Sequence, residues 1–259
     1  MHCWIFAQKG GLLVSSGDSG VRGDATSLKC LGIEKVLERK KTVSTVFTLT
    51  AKDAAVLKRS ALSPVIAPGP EIRLCEYAPT VKQYLHTEPE PFYGPPEIAY
   101  HTVETDNPGL TVNGFGSGKA VYFPWFCGSF YHSEGYTNTL NVMRDVLFEI
   151  CRLPQIAPGL HPSVELVLSK QENKTIVSLI NASGYFGNSF FDPIPMTGSE
   201  LHIPGSFQKA EALNGGLTVL ENGVLRLNEL NNFEMIVLEE NQHENRFYRS
   251  WYHGQAHGS

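Results

Sequence analysis

The sequence predicts an α/β domain that starts part-way through its first unit, followed by an all-β domain, a small antiparallel β-sandwich. Three observations carry this. Ile5-Phe6-Ala7-Gln8-Lys9-Gly10-Gly11-Leu12-Leu13-Val14 reads as the exit of a helix, a Gly-Gly stop and then an apolar strand. An intact α/β domain opens with a strand before such a helix, so this chain is expected to enter its first domain after that strand. Thr137 to Ile150 carries a helical stripe, and beyond Pro154 the hydrophobic period becomes two.

Taken in order, Leu12 to Val14 is an apolar run of the kind expected of a strand covered on both faces. Ser16 to Gly20 is a loop. Val43 to Leu49 alternates as a strand, Ala51 to Leu57 suits a helical turn, and Pro64 to Pro70 is a connection. Arg73 to Tyr77 is a further strand, and residues 87–97 hold too many prolines for regular structure. Leu110 to Val112 and Lys119 to Trp125 are strands joined by the glycine-rich turn Gly114 to Gly118. In the helix that follows, Leu140, Met143, Leu147 and Ile150 form one apolar stripe, Thr137, Asn138 or Thr139 caps the start, and Pro154 lies past the end.

The predicted division is an α/β domain over 1–154, a linker over 155–162, a β-sandwich over 163–240 and a polar tail over 241–259. The sandwich strands are Val164 to Leu168, Thr175 to Asn181, Leu201 to Ile203, Lys209 to Leu213, Thr218 to Glu221, Val224 to Leu227 and Phe233 to Leu238. Asn214-Gly215-Gly216 and Glu221-Asn222-Gly223 are hairpin-type turns between them.

Composition bounds the partners. The 259 residues are 42% hydrophobic, enough for real cores, and the net charge is −5 with no basic stripe, which argues against nucleic acid. Apolar runs of a few residues fall far short of a bilayer span, and Met1-His2-Cys3-Trp4 opens no secretion signal, so a cytoplasmic location and no membrane partner are expected. Cys3, Cys30, Cys75, Cys127 and Cys151 are odd in number and scattered, with no Cys-x-x-Cys spacing. They read as reduced thiols rather than disulfides or zinc ligands.

Chemistry-bearing patterns are sparse. In Gly114-Phe-Gly-Ser-Gly-Lys119 the Gly-Lys is followed by Ala120 and a strand, so a tight hairpin is expected instead of a phosphate loop. A nucleophile elbow needs glycines two residues either side of the nucleophile. Cys75 and Cys127 lack that frame, and Ser19 has Gly17 before it but Val21 after it. Glu88, Glu90, Glu97, Glu104 and Asp106 flank prolines as a solvated acidic segment, and His101, His132 and His161 are isolated. No catalytic residue, cofactor or metal site is therefore assigned. The aromatic run from Tyr122 is the exception. Tyr122 and Phe123 are expected in the core. Trp125, Tyr131 and Tyr136 fall at or beyond the carboxyl end of a strand, the edge where open α/β sheets bind ligands, and are the candidate carbohydrate contacts.

Gly10-Gly-Leu-Leu-Val-Ser-Ser-Gly17, Gly116-Ser-Gly-Lys-Ala-Val-Tyr-Phe-Pro-Trp125, Gly135-Tyr136, Thr175-Ile-Val-Ser-Leu-Ile-Asn-Ala-Ser-Gly184 and Phe191-Asp-Pro-Ile-Pro195 come in that order. Together they resemble the C-terminal half of bacterial glycoside hydrolases related to family 42 β-galactosidases. The resemblance spans nearly all of residues 5–240. It implies a flavodoxin-like, class I glutamine-amidotransferase-like "β-galactosidase trimerisation" domain, N-terminally incomplete, followed by a β-sandwich. It also implies a TIM-barrel catalytic domain as partner, a homo-oligomer (a trimer) and a role in carbohydrate metabolism. The family's catalytic glutamates lie on that barrel, which takes about 250 residues and has no counterpart here, so none is carried over. The expectation is a non-catalytic accessory region. The alternatives are a carbohydrate-binding module using Trp125, Tyr131 and Tyr136, and a degenerate amidotransferase-like hydrolase using Cys75 or Cys127. The first domain is expected to be marginal alone and prone to associate.

Overall fold

The computed structural model describes residues 3–241 apart from 20, 92, 101–104, 217 and 222. His101, Glu104 and the tail expected beyond Asn241 lie outside the described residues. The chain divides into two compact units, Met1–Leu153 and Pro154–Ser259.

The first unit opens with α1 (Cys3–Gln8). The helix stops where expected: Gly10 takes φ +101, and the Gly11 N–H closes back on the Phe6 carbonyl at 2.9 Å. Strand β1 (Leu12–Ser16) follows. Helix α2 (Ala25–Leu31) is capped by Asp24, whose carboxylate accepts the Ser27 N–H, and ended by Gly32 in the left-handed conformation. The remaining elements are β2 (Ile33–Lys41), β3 (Val46–Thr48), α3 (Ala51–Ala54), β4 (Val65–Ile66), β5 (Glu71–Tyr77), β6 (Lys82–Glu88), β7 (Thr105–Phe115), β8 (Gly118–Phe123), α4 (Cys127–Glu134) and α5 (Thr137–Asp145). Helix α3 carries a full capping box between Thr50 and Asp53.

Strand accounts for 44% of the described residues and helix for 18%, so strand pairing is the frame. The main sheet has the order β1-β8-β7-β6-β3-β4, and β2 pairs with β5 in a separate antiparallel ribbon. Only β1 and β8 run parallel in that main sheet, and its other pairings are antiparallel.

Three local expectations are revised. The cover of Leu12 to Val14 is partial: Leu12 packs on one core cluster and Leu13 on the other, but β1 is the edge strand and Val14 is 42% exposed. The fully covered strand is its neighbour β8, where Val121 and Phe123 are buried in one core cluster and Ala120 and Tyr122 in the other. The expected helical stripe holds in part: Ile150 is buried and Met143 packs on the core, whereas Leu140 and Leu147 are half-buried, and the inward face also takes in Thr139, Val142 and Val146. The four-residue spacing of the two valines selects that face, and the helix continues past Asp145 as a π-helical turn, Val146–Ile150. Its N-cap is Tyr136, with no side-chain cap, because the Asn138 amide instead donates to the Val65 carbonyl at 2.6 Å.

The hairpin between β7 and β8 turns at Gly116, φ +60. A side chain there would meet the Gln8 carbonyl oxygen at 2.4 Å, so the turn requires glycine for conformation and for space.

Among its described residues the second unit pairs its strands only antiparallel. Strands β9 (Val164–Gln171), β10 (Lys174–Asn181), β14 (Phe207–Ala212) and β17 (Phe233–Glu240) form one sheet in the order β14-β17-β10-β9. Strands β13 (Met196–His202), β15 (Thr218–Glu221) and β16 (Val224–Leu230) form another in the order β13-β16-β15. Val177, Leu179, Ile236 and Leu238 from the first pack with Leu201, Leu225, Leu227 and Leu230 from the second in one core, as period-two strands dictate. Ile156, Ala157 and Leu160 pack on this core too, so the segment read as a linker belongs to the sandwich. A short hairpin, β11 (Tyr185–Phe186) and β12 (Ser189–Phe190), stands apart from both sheets.

Candidate functional site

The parallel pair β1 and β8 ends at Ser16 opposite Phe123. The chain leaves β1 through Gly17, φ +54, whose N–H donates to the Phe123 carbonyl at 2.9 Å and the Trp125 carbonyl at 3.0 Å. The Tyr122 hydroxyl donates to the Gly17 carbonyl at 2.8 Å. A Cβ at 17 would lie 2.4 Å from the Phe126 ring, which makes this a second position that only glycine fits.

That turn delivers Asp18 to three arginines. Its carboxylate accepts from Arg22 Nη2 at 2.6 Å, Arg39 Nη2 at 2.7 Å and Arg73 Nε at 2.6 Å, with a further bond from Arg73 Nη2. Arg39 and Arg73 face one another across the β2–β5 ribbon, a like-charge pairing that is unfavourable alone. Asp18 resolves it from one side, and Glu71, 3.4 Å from Arg39, from the other. Burial would raise the Asp18 carboxyl. The Arg73 hydrogen bonds and charge, with the charges of Arg22 and Arg39, outweigh that and hold it below its ordinary value of 3.8. The ribbon is also stitched to the end of β8, since the Arg73 N–H donates to the Pro124 carbonyl at 2.6 Å.

Beside this cluster, Cys127 opens α4. Burial raises its thiol to about 11, although the Gly128 and Cys127 backbone and the Ser16 hydroxyl pull the other way. Burial likewise raises Cys75 to about 11, against Tyr77 and Arg73. Both thiols are protonated at neutral pH and make poor nucleophiles. Asp18 is ionised and saturated by guanidinium donors, so it orders this corner and has no proton to give. Among the described residues no group of three or more His, Cys, Asp or Glu is arranged to hold a metal ion.

Of the three aromatic candidates, Trp125 is corrected. It is fully buried, its indole N–H donates to the Gly109 carbonyl at 2.9 Å, and its ring lies 5.6 Å from Phe47 and 6.0 Å edge-on to Phe123. The chain bends back at Pro124, and the ring follows it into the core. A bridge between Ile72 and Trp125 holds the bend. Tyr131 is half-buried on α4, and Tyr136 is 50% exposed at the α4–α5 junction, edge-on to Phe130 at 5.5 Å. Glu90, Glu97, Asp106 and His132 are exposed, and exposed His161 pairs through Nδ1 with the Ser163 hydroxyl at 2.7 Å.

Sequence reading did not find the arginine cluster. Its members come from a loop and two strands as many as 55 positions apart, and no local pattern joins them. A second feature it missed is a polar groove of about 340 Å³ in the sandwich, lined by Asn214, Asn228, Glu229, Asn231, Phe233 and Glu234. Its floor is structural: the buried Glu234 carboxylate accepts the N–H groups of Asn214, Gly216 and Met235, clamping the 214–216 turn.

No family model and no curated protein matches the chain. Solved structures do. The α-L-fucosidase isoenzyme 2 from Paenibacillus thiaminolyticus superposes with a TM-score of 0.59 at 18% identity, over 90% of this chain and 37% of the fucosidase. The β-galactosidase from Bacillus circulans sp. alkalophilus gives 0.55 at 13% identity, over 92% and 30%. Gan42B, a GH42 β-galactosidase from G. stearothermophilus, gives 0.52 at 13% identity, over 93% and 29%. The chain has the fold of one portion of these glycoside hydrolases. It spans about a third of their length, and at these identities the likeness is one of fold.

Proposed function

We propose that this chain is a non-catalytic accessory region of a glycoside hydrolase, with hydrolysis of O-glycosidic bonds performed by a separate catalytic domain. The observation that carries this reading is the superposition on glycosidases across nine-tenths of this chain but only about a third of theirs. The described residues support it. The two cysteines considered as nucleophiles are buried with raised thiols, and Asp18 is locked by arginines. In this reading the first unit is a remodelled relative of the amidotransferase-like trimerisation domain and supplies subunit contacts, and the sandwich packs as a structural module.

The test is an assay of the chain by itself on chromogenic α-L-fucosides and β-galactosides. The expected result is no turnover above the buffer rate. Hydrolysis at enzyme-like rates, with kcat above about 1 per second, would overturn the proposal.

A further inference from the structure

The hairpin of β11 and β12 carries an unusual load. Tyr185, Phe186, Phe190, Phe191 and Ile194 are 56%, 77%, 81%, 68% and 68% exposed, all within ten positions. Of the charged residue types, that stretch holds only Asp192.

The segment is held firmly. Asn181 Nδ2 donates to the Ile194 carbonyl at 2.8 Å, and Asn181 Oδ1 accepts the Ser183 N–H at 3.1 Å. The Ser183 hydroxyl oxygen accepts the Ile194 N–H at 2.9 Å, and the Phe191 N–H donates to the Gly184 carbonyl at 2.8 Å. A Cβ at Gly184 would meet the Phe191 carbonyl oxygen at 2.1 Å, so the backbones touch there and only glycine fits. Tyr185 and Phe190 pair at 5.3 Å across the two strands. The backbone that carries these side chains is therefore a fixed frame, and the ordering cost of binding is confined to their rotamers.

We propose that this hairpin is a self-association surface on which a second copy of the chain docks about a two-fold axis. The area decides the occupant. With 150–250 Å² per aromatic side chain, the five residues expose roughly 700 Å², more than the largest patch of a typical monomer. Two copies face to face would bury about 1,400 Å², within the standard range for a specific interface. A nearly uncharged apolar patch is complementary to its own copy, as an isologous contact requires.

The experiment is sedimentation of the whole chain across a hundred-fold concentration range, beside Phe186→Ser, Phe191→Ser and the double variant. A concentration-dependent dimer is expected, with each single substitution weakening it at least ten-fold and the double variant monomeric. Unchanged circular dichroism would show that the variants fold, as their exposed positions require. If the double variant does not fold, the two singles carry the test. A trimer, or a dimer that survives the single substitutions, overturns the proposal. So does a monomer at every concentration, whether the hairpin is then free or covered by residues 242–259. The non-catalytic reading is judged separately by turnover, and a trimer that survives the hairpin substitutions would fit the subunit contacts that reading gives to the first unit.

Discussion

Asp18 shows how one carboxylate can decide a corner of a fold. Three guanidinium groups converge on it, two of them from directly opposed positions on neighbouring strands. Replacing Asp18 with Asn leaves Arg39 and Arg73 facing each other with only Glu71 to offset them. At neutral pH we expect Asp18→Asn to cost about 1 kcal/mol, a figure kept low because exposed Arg22 is screened by solvent. The pH dependence has a definite sign. The native carboxyl is held below 3.8, so its contribution is complete above that value and is lost as the pH falls through the lower native value. Urea melts should therefore separate wild type from Asp18→Asn at neutral pH, and the gap should narrow as the pH is lowered below 3.8. A gap that does not change with pH would show that the arginines do not act through the charge of Asp18.

Between elements, the clearest lock is Asp145 at the end of α5. It is fully buried and accepts four bonds: the Arg59 N–H at 3.1 Å, Arg59 Nη1 at 3.2 Å, the Ser60 N–H at 2.8 Å and the Ser60 hydroxyl at 2.8 Å. The helix is thus tied to the 310 turn Ser60–Leu62 that follows α3. Asp145→Ala would strand two backbone N–H groups and the buried Ser60 hydroxyl, while the Arg59 guanidinium keeps Glu149 at 3.0 Å. The expected loss is about 3 kcal/mol, read as a lower denaturation midpoint with an unchanged slope. A change below about 0.5 kcal/mol would mean that water replaces the carboxylate without cost. The sequence hides this lock, because Asp145 sits mid-pattern in a helix and its partners are 85 and 86 positions away. Elements set by local chemistry were legible: the Gly10-Gly11 stop, the 114–118 hairpin and the alternating strands of the sandwich. Strand β2 was not. Its sequence Ile-Glu-Lys-Val-Leu-Glu-Arg-Lys-Lys has the composition of a charged helix face, and only its pairing with β5 makes it a strand. Trp125 was misplaced for a related reason. Its position just past β8 is readable, but the direction of its ring depends on the bend at Pro124 and on Phe47, 78 positions earlier. Helix α2 did carry a signal in Asp24 and Gly32, a cap and a stop around Leu28, Cys30 and Leu31.

At the scale of the whole molecule, the change of period near Pro154 follows from two different ways of burying apolar surface. The first unit buries it on both faces of β8, under helices and loops, and the second between two antiparallel sheets. Each unit has its own core, and the consequence is sharpest at the seam. Residues 155–162 have a linker's composition, yet Ile156, Ala157 and Leu160 pack on the sandwich core, and the Ile156 carbonyl accepts the His202 N–H at 2.6 Å. The proline content that marks the stretch as irregular does not keep it from being buried, because apolar side chains at 156, 157 and 160 can dock without regular backbone. A piece comprising residues 154–259 should therefore fold alone with a single cooperative melt. A piece beginning at 163 should be weaker by roughly 2 kcal/mol, the order expected for losing three partly buried apolar contacts and the two backbone bonds accepted by Ile156 and His161. Equal stability of the two pieces would return 155–162 to the role of a passive connector. Failure of the longer piece to melt cooperatively would show that the sandwich depends on the first unit.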